Sequence, residues 1–149
     1  MKLKFRAWMK QFKKMDNDIG EMHFEDGEFK YIGDDVHYKR LPEDIILMQS
    51  TGLFDKNGKE IFDGDLIITN AYACIVCFGE YTYFEDEDTQ TTAIGFYLSF
   101  LNVTPATYAP FEKCYWDNCE VIGNIHENEL DLIMYESWKF NKELEDETL

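Results

Sequence analysis

Residues 48–66 read Met-Gln-Ser-Thr-Gly-Leu-Phe-Asp-Lys-Asn-Gly-Lys-Glu-Ile-Phe-Asp-Gly-Asp-Leu and carry the clearest structural signal in the chain. Glycines stand at positions 52, 58 and 64. Glycine adopts positive φ without steric cost, and Asn-Gly is a frequent centre of tight hairpin turns. The segment therefore predicts an ordered loop or a tight hairpin over residues 51–61, centred on Asn57-Gly58, that leads into an apolar strand.

Two further motifs accompany this segment. Lys4-Phe-Arg-Ala-Trp8 precedes it, and Val121-Ile-Gly-Asn-Ile-His-Glu-Asn128 follows it. With the three motifs in this order, the chain resembles the YopX family of small phage and prophage proteins. The resemblance implies a single YopX-like domain over residues 1–149 with a β-rich fold. It implies no reaction and no ligand.

The resemblance and the local patterns together predict a mainly β protein, a YopX-like antiparallel barrel or strongly bent sheet with a short C-terminal helix. The Gly64-Asp65 step resembles the entry to the first long strand of small SH3-like barrels, so part of the fold is expected to be SH3-like. A helix is predicted after Asn128, a suitable N-cap, because apolar residues from Leu130 to Trp138 recur near helical spacing.

The first strand is predicted from alternation. Leu3, Phe5 and Ala7 alternate with Lys4 and Arg6, which is the period-two pattern of a half-buried strand. Because lysine at a sheet edge discourages unwanted pairing, we expect this strand to form an edge with a basic outer face.

Other strands are predicted from β-rich runs between turn signals. Asp26-Gly27 predicts a type I′ hairpin, and residues 79–92 predict an exposed loop. Pro105 and Pro110 are expected to interrupt regular pairing. The predicted strands are Met22–Glu25, Glu28–Ile32, Ile45–Gln49, Leu66–Thr69, Cys74–Phe78, Ile94–Val103 and Cys119–Ile125, with Leu66–Thr69 and Cys74–Phe78 forming a hairpin about residues 70–73.

Charge is unevenly distributed along the chain. The formal net charge is −16, yet the first fourteen residues contain six Lys and Arg and no acid. The remaining residues hold eight basic residues against 30 acids, a charge of −22. Bare nucleic acid is a disfavoured partner, because binding it relies on basic groups that displace counterions from phosphates. The simplest interpretation is an acidic, solubilising surface with a basic edge strand.

Composition also bounds the class of protein. Hydrophobic residues make up 45% of the chain and include twelve Phe, nine Tyr and three Trp, enough for a packed core. No run of eighteen apolar residues predicts a membrane span, and residues 1–15 lack the apolar run of a signal peptide. We therefore expect a protein in the cytoplasm of a bacterial host, with four reduced cysteines.

Cysteine and histidine offer the main candidates for metal or thiol chemistry. Cys74 and Cys77 have the C-x-x-C spacing of zinc sites and redox enzymes. Residues three apart in a strand point to opposite faces, so the pair is interpreted as core material. Cys114, Cys119 and His126 give at most a partial ligand set. We expect no metal, no cofactor and no catalytic thiol.

Other catalytic signatures fail on spacing. Asp16–Gly20 begins like a calcium loop but lacks Gly and Glu at the later positions. Gly52 and Gly58-Lys59-Glu60 superficially resemble a phosphate loop, but Glu60 replaces the required hydroxyl. No Gly-x-Ser-x-Gly elbow is present. An enzyme is disfavoured, unless the fold places His37 or His126 beside a carboxylate in a deep pocket.

The motif residues have two interpretations. Their glycines supply positive φ or close backbone approach, and their Asp and Asn side chains form turns, which is a structural role. Alternatively, Gln49, Thr51 and Asp65 project from a rigid loop as a recognition surface. The candidate recognition or structural residues are Gln49, Thr51, Gly52, Asp55, Asn57, Gly58, Gly64, Asp65, Gly123 and Asn124.

The leading functional hypothesis is a non-enzymatic phage or prophage accessory protein that interacts with partners and associates with copies of itself. The alternative is an acidic mimic of nucleic acid that inhibits a basic host protein by charge complementarity. Its candidate contacts are Glu25-Asp26, Glu85–Asp88 and Glu143–Glu147.

Overall fold

The computed structural model describes residues 3–33, 38–101 and 103–128. Within these ranges the chain is mainly antiparallel β structure, with one four-residue helix, α1 (Lys113–Trp116), and one 3-10 turn (Pro42–Asp44). The strands are β1 (Phe5–Met9), β2 (Lys14–Asp16), β3 (Met22–Glu25), β4 (Glu28–Ile32), β5 (Ile45–Phe54), β6 (Glu60–Phe62), β7 (Asp65–Thr69), β8 (Tyr72–Phe84), β9 (Gln90–Phe100), β10 (Tyr108–Pro110) and β11 (Glu120–Asn124).

The strands form three sheets. A four-stranded sheet has the order β2-β1-β5-β6, a five-stranded sheet has the order β10-β9-β8-β7-β11, and β3 and β4 form a separate hairpin. This architecture confirms the predicted mainly β fold with a strongly bent sheet. The predicted helix after Asn128 lies outside the described residues.

The local hairpin predictions are confirmed. Strands β3 and β4 have the predicted bounds, and their turn residues Asp26 and Gly27 both adopt positive φ, 53° and 81°. Strands β7 and β8 also form a hairpin, although its turn is shorter than predicted. Asn70 and Ala71 turn the chain at positive φ, and Tyr72 already belongs to β8.

The segment around Asn57-Gly58 is a hairpin between β5 and β6. Strand β5 extends five residues beyond the predicted end at Gln49 and is irregular between Ser50 and Phe54. Gly58 adopts a φ of +81° at the turn, and its amide donates to the carbonyl of Asp55 at 3.0 Å. The predicted tight hairpin is therefore confirmed, and the longer β5 is its continuation.

The prediction that the first strand is a basic sheet edge is wrong. Strand β1 lies between β2 and β5, so it pairs on both sides. Its Arg6 is only 7% exposed and does not lie on an outer face. The reason is that β1 has a partner strand on each side, and Arg6 is buried against Asp65 and the Phe62 ring while Lys4 remains exposed.

The predicted loop over residues 79–92 is also wrong. Strand β8 continues to Phe84 and pairs without interruption with β9, which begins at Gln90. Only the short turn between the strands remains. The segment is rich in Tyr, Thr and Phe, which favour strands, and its partner strand completes the pairing. Pro105 lies outside the strands, but Pro110 lies within β10, an edge strand that tolerates proline.

The main core lies on one face of the five-stranded sheet. Ile61, Ile67, Val76 and Leu98 are fully buried there, together with Cys74 and Cys119. Each large aliphatic side chain contributes about 1.5–3 kcal/mol through burial. Helix α1 packs its aromatic residues against this cluster, and the hydroxyl of Thr69 donates to the carbonyl of Tyr115 at 2.7 Å.

Candidate functional site

Asp55 connects the β5–β6 hairpin to β11. Its Oδ1 accepts hydrogen bonds from the amides of Asn57 at 2.9 Å and Lys59 at 2.8 Å, and its Oδ2 accepts one from Val121 at 2.9 Å. Burial tends to raise the pKa of Asp55, but these three donors outweigh it and lower the pKa below its ordinary value. The carboxylate is an internal connector rather than a reactive group.

Thr51 and Gly52 shape the irregular part of β5. The Thr51 hydroxyl donates to the carbonyl of Ile61 at 2.8 Å and accepts from the amide of Leu53 at 3.1 Å. Gly52 adopts a φ of +78°, and its amide donates to the hydroxyl of Ser50 at 3.0 Å. Thr51 is 7% exposed, so it is not available for recognition of a partner.

Asp63 and Gly64 link the two large sheets. The Asp63 carboxylate accepts from the amide of Gln49 at 3.1 Å, and the Asp63 amide donates to the Gln49 carbonyl at 2.9 Å. Gly64 donates to Val76 of β8 at 2.6 Å and accepts from Ile125 at 3.0 Å. A Cβ at Gly64, where φ is +87°, would lie 3.2 Å from the Met48 sulfur, so this crossing requires glycine.

Arg6 and Asp65 form a buried ion pair between β1 and β7. Arg6 Nη2 donates to Asp65 Oδ1, and the other carboxylate oxygen accepts from the amide of Phe62 at 2.8 Å. The guanidinium lies 4.4 Å from the centre of the Phe62 ring. Burial raises the pKa of Asp65, and the positive charge of Arg6 opposes that rise.

Gly123 and Asn124 close the end of β11. Asn124 Oδ1 accepts from the amides of His126 at 3.0 Å and Glu127 at 2.8 Å, while Asn128 Oδ1 accepts from the Asn124 amide at 3.1 Å. A Cβ at Gly123 would lie 2.4 Å from that Asn128 oxygen. The pair therefore holds a tight turn together.

The structure gives a structural role to most of the motif residues and brings them into one network across both large sheets. Gly58 and Asn57 lie at the outer end of this network, and Gly64 and Asp65 lie near its centre. Sequence reasoning missed Arg6 and Asp63 as members. Both lie within the quoted motifs. No local pattern indicates the contact between Arg6 and Asp65, which are 59 positions apart.

Among the remaining catalytic candidates, His126 lies near a carboxylate: burial raises the pKa of Asp63, and the charges of Arg6 and His126 oppose that rise. Cys74 lies in the core and Cys77 is half-buried, while Cys119 is buried and Cys114 is exposed. Burial raises the pKa of the Cys119 thiol to about 11, which keeps it protonated. His126 stacks on Trp8 at 5.7 Å, and His37 lies outside the described residues. In the part of the chain that the structure describes, no three His, Cys, Asp or Glu could hold a metal ion.

The distal part of the β8–β9 ribbon is the surface that sequence reasoning missed. Beyond the core pair Val76–Leu98, the same face continues with Phe78, Phe84 and Ile94, which are 51%, 67% and 77% exposed. Alternation of β-favouring residues in Tyr81–Phe84 was the available signal for these strands. We refer to Phe78, Phe84 and Ile94 as the apolar ribbon face.

The opposite side of the ribbon carries stacked tyrosines. Tyr81 stacks on Tyr97 at 4.6 Å and on Tyr83 at 5.6 Å, and Tyr97 meets Tyr108 edge to face at 5.8 Å. Such aromatic pairs stabilise a sheet through cross-strand contact. The tyrosines therefore support one face of the ribbon, whereas on the other face Phe78 and Ile94 are exposed and Phe84 borders a cavity of its own chain.

The ribbon also differs in charge from the β1–β2 turn. Residues 60–112 contain nine acids and no Lys, Arg or His. Four of these acids, Glu85–Asp88, form the exposed turn at the ribbon tip. The β1–β2 turn, in contrast, presents Lys10, Lys13 and Lys14 at the surface. The fold thus separates acidic and basic surfaces.

Two cavities formed by described residues are not lined by His126. One of about 410 Å³ is lined mainly by the aromatic residues Tyr72, Phe84, Phe100, Tyr108 and Tyr115, so the ribbon bends far enough for Phe84 to share a cavity with the core end of its own sheet. Another of about 200 Å³ lies beside the β1–β2 turn and is lined by Met9, Gln11, Phe12, Lys39, Arg40, Asp44 and Ile45. Among the described residues, no helix is long and apolar enough to cross a membrane.

Comparison with known proteins agrees with the fold. The family model described as YopX protein matches residues 4–131. The crystal structure of protein EF1440 from Enterococcus faecalis is similar to this chain, with 26% sequence identity and a TM-score of 0.56. The alignment covers 89% of this chain and 99% of that protein. No curated protein matches the chain. Because the family model spans most of its length, the chain belongs to the YopX family.

Proposed function

We propose that this YopX-family chain is a phage or prophage accessory protein that acts through non-enzymatic interaction and associates with copies of itself. The observation that supports the proposal is the apolar ribbon face, whose Phe78, Phe84 and Ile94 are each at least half exposed. Exposed apolar side chains on one face are typical of protein interaction sites. Polar residues separate those of the ribbon, because Glu80 lies opposite Ile94 and the pair Thr82–Thr92 lies between Ile94 and Phe84.

A ribbon with an exposed apolar face is unfavourable in free energy. A two-stranded hairpin is at best marginally stable in water and gains stability from a layer that covers its apolar face. The tyrosines stabilise one side, whereas the side with Phe84 and Ile94 is exposed. Burial of these side chains against a second copy would contribute to association without any further element.

Sedimentation velocity over a range of protein concentrations tests the proposal. We expect a defined multimer for the unaltered chain and a shift to monomer for Phe84→Ser/Ile94→Ser. The matched control is Leu3→Ser/Phe24→Ser, since those side chains are 71% and 61% exposed but lie away from the ribbon. A monomer at every concentration, or an equal effect of the control pair, contradicts the proposal.

A second candidate function is mimicry of nucleic acid by the acidic region. It is favoured by the absence of any basic residue from position 60 to position 112. Such a protein would capture a basic host protein at low salt and release it at high salt. The test is capture from host lysate by the unaltered chain and by Glu85→Gln/Glu87→Gln. Mimicry requires that duplex DNA displaces the captured protein and that the variant captures less; retention against DNA contradicts it.

A further inference from the structure

Two separate surfaces of this molecule each combine an exposed phenylalanine with charges of one sign. At the ribbon tip, Phe84 borders the cavity of about 410 Å³ in its own chain but is still 67% exposed, and it is followed directly by Glu85–Asp88. At the β1–β2 turn, Phe12 is 58% exposed and stands between Lys10 and Lys13-Lys14. The surfaces are therefore complementary in charge and alike in apolar content.

We propose that the ribbon tip of one copy docks at the basic turn of a second copy, with Phe84 entering the cavity beside Phe12. This inference rests on the self-association proposed above and names the two surfaces that meet. The occupant is a second copy of this chain because the chain itself provides both halves of the contact. We call the cavity and its basic border the socket; it comprises the residues that line the cavity together with Lys10, Lys13 and Lys14.

The socket is large enough to accept an aromatic ring, with a lining that is apolar at Met9, Phe12 and Ile45 and polar or charged at its other four residues. Its volume is about 200 Å³, whereas an apolar protein cavity of about 150 Å³ holds benzene. Met9, Phe12 and Ile45 supply apolar contacts. Lys39 and Arg40 line the same cavity, so an entering ring would also meet cations.

The charges on the two surfaces are largely uncompensated within each copy. The Lys10 ammonium donates to the backbone carbonyl of Glu43 at 3.2 Å, and among the described residues Lys10, Lys13 and Lys14 form no ion pair. At the tip, Asp86 accepts the amides of Asp88 and Thr89, which supply no positive charge. A contact between copies would therefore replace repulsion among like charges by attraction between opposite ones.

Some neighbouring charges moderate the socket. Arg40 Nε lies 3.8 Å from Asp16 Oδ2, Lys39 lies over the ring of Tyr31 at 4.2 Å, and Asp44 lines the cavity. The three lysines of the turn are therefore the cations with which the acidic tip would pair. Variants at Lys13 and Lys14 test the contact without altering the cavity wall.

The geometry has a consequence for assembly. Tip and socket are different surfaces, so each copy offers one of each, and the contact is heterologous. A heterologous contact forms a ring if its rotation closes and an open chain if it does not. It also allows a one-sided variant of each kind to complement the other, which a contact between identical surfaces does not allow.

Mixing two one-sided variants tests the inference. The tip variant is Glu87→Lys/Asp88→Lys, and the socket variant is Lys13→Glu/Lys14→Glu. By sedimentation velocity, each alone should associate about tenfold more weakly than the unaltered chain or worse. An equimolar mixture should associate again, because the intact tip of one variant meets the intact socket of the other and the two altered surfaces no longer carry like charges. Matched controls are Glu25→Lys/Glu28→Lys and Lys59→Glu/Lys113→Glu, at exposed positions elsewhere.

The outcomes separate this inference from the proposed function. If the unaltered chain is monomeric, both fail. If it associates and Phe84→Ser/Ile94→Ser dissociates it while the tip and socket variants do not, self-association stands and this docking is wrong. Docking is also wrong if the variants dissociate but their mixture does not associate. Thermal unfolding of each variant verifies that the exposed substitutions leave the fold intact.

Discussion

At the scale of single residues, the motif carboxylates and amides act on backbone amides. Four motif side chains each accept at least one backbone N–H, namely those of Asp55, Asp63, Asp65 and Asn124. The Asp55 bond to Val121 joins distant parts of the chain, and the Asp65 bond to Phe62 is buried. An unsatisfied buried N–H costs about 1–3 kcal/mol, so these side chains stabilise the crossings between sheets. These contacts give the motif residues of this chain a role in folding.

Asp55→Asn should destabilise the fold by about 1–3 kcal/mol, because its amide nitrogen faces a backbone donor in place of an accepting oxygen. Urea unfolding at neutral pH measures the loss. The matched control, Asp86→Asn, alters a carboxylate that also accepts two backbone amides, but at the exposed tip. A loss at Asp86 as large as that at Asp55 would contradict the importance of the buried connection to Val121.

The Asp55 effect has a defined pH dependence. Because folding lowers the pKa of Asp55, its ionised form stabilises the fold above the pKa of the unfolded chain, about 3.9. That contribution is lost as the pH falls through the lower folded pKa. The stability difference between the unaltered chain and Asp55→Asn should therefore be complete at neutral pH and shrink below about pH 4.

Arg6→Met should cost about 3–5 kcal/mol at neutral pH, because it leaves the Asp65 carboxylate buried without its cation. The double variant Arg6→Met/Asp65→Asn should be more stable than Arg6→Met, since Asn still accepts the Phe62 amide and carries no charge. Urea unfolding of the two single variants and the double variant completes the comparison. If the losses of unfolding free energy in the two single variants add up to the loss in the double variant, Arg6 and Asp65 are not coupled.

At the scale of elements, the β8–β9 ribbon depends on paired glycines. Gly79 lies opposite Gly95. Their φ values are +150° and +155°, a backbone conformation that residues other than glycine rarely adopt. A Cβ at either position would meet nothing within 4 Å. Their role is therefore conformational, and they lie where the ribbon leaves the core.

Gly79→Ala/Gly95→Ala should destabilise the fold by about 1–3 kcal/mol per position through backbone strain alone. It should also weaken the near-ultraviolet circular dichroism of the stacked Tyr81 and Tyr97. Thermal unfolding and circular dichroism measure the two effects. Gly20→Ala is the matched control, because Gly20 has no positive φ and its Cβ position is open. Equal behaviour of control and ribbon variants would contradict the argument.

The sequence predicted elements whose signal is local and missed those whose signal is not. The β3–β4 hairpin was correct because Asp26-Gly27 determines the turn and its register together. The distal ribbon was missed because acidic and threonine-rich segments resemble loops until the partner strand is known. The buried position of Arg6 depends on a sheet that packs from elsewhere in the chain, so alternation within β1 did not reveal it.

At the scale of the whole molecule, folding converts an uneven charge sequence into separated surfaces. The basic N-terminal segment loses part of its charge internally, because Arg6 pairs with Asp65 and Lys4 pairs with Glu60. Lys10, Lys13 and Lys14 remain at the β1–β2 turn, and the acidic tip lies on the other large sheet. Self-repulsion of a chain with net charge −16 opposes folding, whereas opposite surfaces favour association.

A higher salt concentration should therefore increase the thermal stability of the fold and weaken self-association. Raising NaCl from about 0.05 M to about 0.5 M should increase the midpoint of thermal unfolding, because screening weakens self-repulsion. The same change should weaken self-association, because it also screens the attraction between tip and socket. Calorimetry and sedimentation measure the pair of effects. In Lys13→Glu/Lys14→Glu, only the thermal effect should persist; association that strengthens with salt would contradict the charge argument.

The absence of Lys and Arg from residues 60–112 also determines where proteases can cleave this protein. Trypsin cleaves after Lys and Arg, and the chain offers it no such residue between Lys59 and Lys113. Tryptic digestion therefore leaves the ribbon uncut whether it is exposed or covered, and even the unfolded chain yields residues 60–113 as one fragment. A glutamate-specific protease instead finds Glu80, Glu85 and Glu87 on the ribbon and its tip. Its cutting rate reports directly on whether that part of the surface is covered.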